Sequence, residues 1–168
     1  MTSGDPTRMH PRARELVDSL QLARHPEGGW YREAWRSPLQ VRRELDGAAR
    51  SALTSIFFLL NAGEVSRWHR VAGADEAWHH YEGAPLELLS FAPDGMQPTR
   101  TRLGADAGSQ LHVVPADWWQ AARSLGEFTL VGCTVGPGFE FGDFAMLRDL
   151  PPSQRPPRPA HADFALFV

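Results

Sequence analysis

Apolar positions along the chain change their period once, near residue 30. From Pro11 to Leu22 they recur at helical spacing, with Ala13, Leu16, Val17 and Leu20 at i, i+3, i+4 and i+7. Pro11 suits the first helical position, so a short helix is predicted over this stretch. His25-Pro26-Glu27-Gly28-Gly29 breaks the pattern, and a turn is predicted there. Beyond it the period becomes two. Trp30–Ser37 alternates aromatic and charged side chains, as a strand with two unlike faces does. Pro38 to Arg50 reads as a polar loop. Ala52–Leu60 is a continuous apolar run, hence a strand buried on both faces. Shorter strands are predicted at Ser66–Val71, Glu76–Glu82, Leu86–Phe91, Pro98–Leu103, Gln110–Val114, Trp118–Ala122, Phe128–Val135 and Phe141–Leu147, punctuated by glycine-containing turns. Many short, regularly spaced strands predict an all-β sandwich or barrel behind one short N-terminal helix. Residues 1–10 carry no period and are expected to fray. Pro151–Pro159 holds five prolines in nine residues and reads as an extended linker. The apolar end, His161–Val168, is expected to pair with a sheet edge, dock on a second subunit, or remain a partly ordered tail.

Composition narrows the chemistry. The 168 residues carry 17 Arg and no Lys against 20 acidic residues, a formal balance of −3. That balance leaves no basic footprint for nucleic acid, and no apolar run approaches a membrane span. Absent lysine removes Schiff-base chemistry and a phosphate-loop lysine together. A single cysteine, Cys133, forbids an internal disulfide, and its apolar strand context predicts a buried thiol. A soluble, cytoplasmic protein is expected.

Five of the seven histidines carry little signal. His10 and His161 lie near the ends, His25 begins a turn, His112 sits between apolar neighbours, and His79 alternates away from Glu76. The stretch from Gly63 to Gly83 is different. His69 closes one predicted strand, Glu76 opens the next, and Ala72-Gly73-Ala74 is the turn between them. A hairpin of that size brings His69 and Glu76 to the same end of a sheet, and alternation puts Glu76, Trp78 and His80 on one face. An imidazole and a carboxylate together supply the parts for acid–base work, for metal binding, or for a plain hydrogen bond closing a hairpin.

This stretch resembles the first motif of the cupin superfamily, with Gly63, His69, Glu76 and Gly83 in the matching places. The motif's second His position is Val71. The second cupin motif is matched from Gly108 through Pro115-Ala116-Asp117 to Gln120, with Gln120 in place of its His. His25-Pro26-Glu27-Gly28-Gly29-Trp30-Tyr31-Arg32-Glu33, Trp68-His69-Arg70-Val71, Gly83-Ala84-Pro85-Leu86-Glu87-Leu88 and Pro137-Gly138-Phe139-Glu140-Phe141-Gly142-Asp143-Phe144 are similar to the type 5 cupins. The resemblance covers roughly residues 15–147. It implies a double-stranded β-helix (jelly-roll) barrel over residues 11–147 with a ligand pocket inside, usually as a homodimer. Residues 148–168 form a Pro-rich extension outside the resemblance.

Fold alone does not name a reaction. The usual cupin metal set is three His and one Glu. Here His69, Glu76 and Gln120 would form it, with His80 as a further nitrogen, for a divalent transition metal, as in a metal-dependent cupin of the oxygenase kind. The alternative that we favour uses no metal. His69 transfers a proton and Glu76 orients it, as in jelly-roll sugar-nucleotide epimerases, on a small polar or carbonyl-bearing substrate. Gln120 would then bond a ligand carbonyl or hydroxyl. Trp30, Trp35, Trp78 and Trp119 are either pocket walls or core. Tyr31, Glu33 and Trp35 alternate on one face of their strand, and Trp30, Arg32 and Arg36 on the other. If the first face lines the barrel, Glu33 is a buried carboxylate whose candidate partner is Arg67. Glu140 and Asp143 are expected at the surface or a dimer contact. A non-catalytic small-molecule binder is the third alternative.

Overall fold

The computed structural model describes residues 9–95, 98–157 and 164–168; His161 and most of the N-terminal ten residues lie outside the described residues. Helix α1 (Pro11–Ser19) begins as predicted, with Pro11 in its first turn and the His10 ring accepting the Arg12 N–H. It stops three residues short of Leu22. Gln21 takes φ +53°, its N–H returns to Asp18 O and the Leu22 N–H to Val17 O, a left-handed helix end. That turn carries Leu22 beside Ala13 and Leu16, against Leu59, Phe128 and Leu130.

The rest is β, in two facing antiparallel sheets. One runs in spatial order β1 (Ala23–Arg24), β2 (Trp30–Arg36), β5 (Thr54–Asn61), β12 (Phe128–Gly136), β7 (Asp75–Gly83) and β10 (Leu111–Val114). The other runs β13 (Phe144–Met146), β6 (Val65–Val71), β11 (Trp119–Ser124), β8 (Leu86–Phe91) and β9 (Thr99–Leu103). This is the all-β jelly-roll barrel that the strand pattern and the resemblance imply, with one short helix at its start. The predicted loop over Pro38–Arg50 instead contains a small hairpin, β3 (Gln40–Arg42) with β4 (Ala49–Ser51), whose exposed and polar residues hide the strand pattern. The strand predicted at Phe141–Leu147 shrinks to β13, because Phe141–Asp143 forms a helical turn.

Phe58, Leu60, Trp78, Leu86, Leu88, Leu103, Val114, Ala122 and Val131 fill the space between the sheets. β5 is buried on both faces, as its continuous apolar run predicts: Phe58 and Leu60 face the core, Leu59 faces α1. The end of the chain settles on its own barrel. Phe164 and Phe167 pack with Trp68, Leu89, Phe91 and Trp119 on the outer side of the second sheet, and the Trp68 indole N–H donates to Phe164 O at 3.1 Å. Among the described residues no helix is long and apolar enough to cross a membrane.

Candidate functional site

The turn between His69 and Glu76 does not close a hairpin within one sheet. β6 and β7 belong to different sheets, so residues 72–74 carry the chain across the barrel, and His69 and Glu76 face one cavity from opposite walls. The cavity holds about 300 Å³ and is walled by aromatic and aliphatic groups. His25, Glu27, His69, Glu76 and Cys133 supply its polar and titratable interior, Tyr31, Phe139 and Phe144 its aromatic wall, and Glu33, Arg36 and Glu140 its charged rim.

Two β-bulges decide which side chains reach it. In β6, His69 lies opposite Gln120 and Ser66 opposite Ala122, with two residues between them against one on β11. The extra residue puts Ser66 and His69 on the same, inward face, where plain alternation would separate them. In β2, Glu33 pairs with Ile56 and Trp35 with Ser55, so Ala34 is the extra residue. Tyr31 and Glu33 therefore line the cavity, Trp35 is turned outward at 59% exposure, and Arg36 swings onto the cavity face that alternation denied it. Glu33 is exposed rather than buried, and its partner is Arg36, which bonds both of its oxygens, and not Arg67.

Glu27 is the group that the sequence reading left in a turn. It is buried, and its Oε2 lies 3.3 Å from His69 Nε2 and 3.4 Å from His25 Nδ1. Ser66 Oγ donates to Glu27 Oε1 at 2.8 Å. The Gly28-Gly29 pair makes this placement physically allowed. Gly28 has φ +111°, and a Cβ there would stand 2.1 Å from Val65 O. The turn is pinned to β6 by Arg67, whose N–H and guanidinium both donate to Glu27 O.

The hydrogen bonds fix the protons. His69 Nδ1 is 2.7 Å from Arg67 O, and a carbonyl only accepts, so Nδ1 carries hydrogen and Nε2 presents a lone pair when the ring is neutral. Burial lowers the His69 pKa, against the pull of Glu76 and of the Arg67 carbonyl. Burial pushes the Glu27 carboxyl up to about 8, with the Ser66 hydroxyl opposing it. Since Oε1 is occupied by Ser66, the Glu27 proton sits on Oε2 and faces His69 Nε2. His25 Nδ1 accepts the Glu27 N–H, so its own proton is on Nε2; burial, helped by the nearby His69, takes its pKa down to about 3.

Glu76 is also raised by burial, with the Glu27 carboxyl adding and His69 opposing. It accepts from Gln120 Nε2 at 2.5 Å. The Trp78 indole, a donor only, donates to Gln120 Oε1 at 2.8 Å, which fixes the orientation of the amide. Gln120 and Trp78 are thus fully buried supports behind Glu76 and do not line the cavity. Trp119 belongs to the outer apolar cluster, and Trp30 lies under the Arg24 guanidinium. His80 shares the inward face with Glu76 and Trp78 but meets Ala84 O away from the cavity. Glu140 is at the rim, and Asp143, expected at the surface, is mostly buried and binds Arg43 and Arg50. Cys133 is buried beside Glu76, which together with burial raises its thiol pKa.

The family model described as "Cupin superfamily (DUF985)" matches residues 14–147. The chain is a type 5 cupin. Its relatives include protein SO0799 from Shewanella oneidensis, 36% identical over 80% of this chain and 83% of that one, with a TM-score of 0.72. A hypothetical protein from Leishmania major is 31% identical over 79% of this chain and 85% of that one, with a TM-score of 0.73. The uncharacterized protein YML079W of Saccharomyces cerevisiae is 27% identical, covering 80% of this chain and 74% of the relative.

The metal set usual in cupins does not fit this one. Val71 lines the cavity with methyl groups where a His would stand. Gln120 turns its amide nitrogen, not its oxygen, toward Glu76. His80 points elsewhere. Among the described residues no group of three or more His, Cys, Asp and Glu side chains is arranged to hold a metal ion.

Proposed function

We propose that this cupin is a metal-independent enzyme of the isomerase, epimerase or lyase type, moving a proton on a small polar or carbonyl-bearing substrate in the barrel cavity. The observation that carries the reading is the contact between Glu27 Oε2 and His69 Nε2 at 3.3 Å. With Arg67 O holding the imidazole in one tautomer and Ser66 holding one carboxyl oxygen, a single proton lies between the two groups. As that proton moves from Glu27 to His69, the freed carboxylate takes a proton from an acidic carbon, and the imidazolium gives its proton to the other side of the carbon or to a leaving group. The surrounding apolar wall excludes water and strengthens each of these hydrogen bonds. Glu76, held by Gln120, stands across the cavity to meet a substrate oxygen or nitrogen. The same reading treats the protein as a cytoplasmic homodimer, for which light scattering should give about twice 18.7 kDa.

The test is deuterium uptake. Small hydroxy- and amino-carbonyl compounds are incubated with the protein in deuterated buffer, and loss of the carbon-bound proton is followed by NMR. Catalysed uptake that disappears in His69→Ala supports the reading. Uptake unchanged in His69→Ala overturns it.

A further inference from the structure

Buried carboxylates in this chain are otherwise supplied with arginine. Glu87 holds Arg100 and Arg123, and Asp143 holds Arg43 and Arg50. Glu27 and Glu76 are as deeply buried, yet among the described residues neither is bonded to an arginine: Glu27 meets Ser66 and the His69 and His25 rings, Glu76 meets Gln120 and Cys133. A buried carboxyl without a cation is costly to ionise, and a fold holding 17 arginines had counter-ions to spend. Both carboxyls line the one cavity, which Tyr31, Phe139 and Phe144 also line. Aromatic faces attract a cation as carboxylates do. Two arginines line the cavity: Arg36 is bonded to Glu33, Glu140 and Phe139 O, and the Arg32 guanidinium lies over the Phe57 ring.

From this arrangement we infer that the cavity takes a small organic cation, a protonated or quaternary amine, seated between the Glu76 carboxyl and the aromatic wall. The missing counter-ion is the ligand's own nitrogen. A bound cation favours the ionised Glu76 carboxyl, against the burial that disfavours it. His69 and Glu27 then stand beside the bound amine, which places proton transfer on a carbon near that nitrogen. This inference deepens the acid–base reading and rests on it for the chemistry, though not for the binding.

The experiment is calorimetric titration of the full chain with three probes: choline, the alcohol in which carbon replaces the quaternary nitrogen of choline, and acetate. Choline is expected to bind at least about tenfold more tightly than its uncharged isostere, the preference falling to within about twofold in Glu76→Gln. The wild-type comparison decides the matter alone should that variant fail to fold. Equal binding of the isostere, tighter binding of acetate, or no binding of choline overturns the inference. Deuterium uptake that persists without choline binding removes the cation and leaves the proton chemistry. Choline binding without any uptake does the reverse.

Discussion

Ser66 and His69, three residues apart on β6, both reach the Glu27 carboxyl because one bulged residue lies between them and puts them on the same face. Ser66 takes Oε1 and His69 faces Oε2, so the bulge sets the protonation pattern of the carboxyl as well as its position.

Glu27 titrates late, and stability should record it. Its carboxyl is raised from 4.5 to about 8, so between these values the folded state keeps a proton that the unfolded chain has lost. Stability therefore falls as pH rises through this window. His25, lowered from 6.5 to about 3, acts oppositely: the unfolded chain gains a proton below 6.5, and stability falls as pH drops. The two slopes cancel between about pH 4.5 and 6.5. Urea unfolding should then show a loss of roughly 2 kcal/mol from pH 6.5 to 8. Glu27→Gln should flatten that limb, and an unchanged limb would contradict the assignment.

Activity should follow the same proton. Deuterium uptake is expected to decline above about pH 8 as Glu27 ionises, and to drop about 100-fold or more in Glu27→Gln, which cannot share a proton with His69. A rate profile flat to pH 9 would remove Glu27 from the mechanism.

Removing the Ser66 hydroxyl should move the alkaline limb upward. Ser66 lowers the Glu27 pKa by donating to its carboxylate, so Ser66→Ala favours the protonated acid. The variant should also lose about 1 kcal/mol, since a buried oxygen loses its donor. The pH midpoint of uptake, compared with wild type, measures the first effect.

Gly28→Ala should be among the most damaging single changes. Its φ of +111° and the 2.1 Å approach to Val65 O leave no room for a methyl group. A loss of about 3 kcal/mol is expected in thermal or urea unfolding, and the survivors should lose uptake because the turn that aims Glu27 has moved.

The C-terminal turn is a structural part of the barrel. Phe167 is fully buried against Trp68 and its neighbours, so Phe167→Ala should cost about 3–5 kcal/mol. A melting temperature unchanged by that substitution would place the segment elsewhere in solution.

The sequence carried most of the strands, because apolar periodicity and glycine turns are local properties. β5 shows this most plainly: its unbroken apolar run already says that both faces are covered. It also carried His69 and Glu76, through a motif whose spacing survives although Val71 and Gln120 stand at two of its ligand positions. It did not carry Glu27 or His25. Those lie in a turn with no period, and the available signal was the Gly28-Gly29 pair, which marks a close backbone approach without saying to what. The bulges in β2 and β6 were equally silent. They moved Arg36 into the cavity, Trp35 out of it and Ser66 beside His69, and nothing in the residue pattern announces an inserted residue.

By itself, then, the sequence determined an all-β fold behind one short helix, and a histidine and a carboxyl on successive strands. Periodicity and turn chemistry are written residue by residue. Tertiary structure alone decided that His69 pairs with Glu27, that Gln120 supports Glu76 from behind, and that two carboxyls share an aromatic-lined cavity with neither bonded to an arginine. Those relations join strands from two sheets, and their pKa shifts arise from burial, which exists only once the barrel has closed.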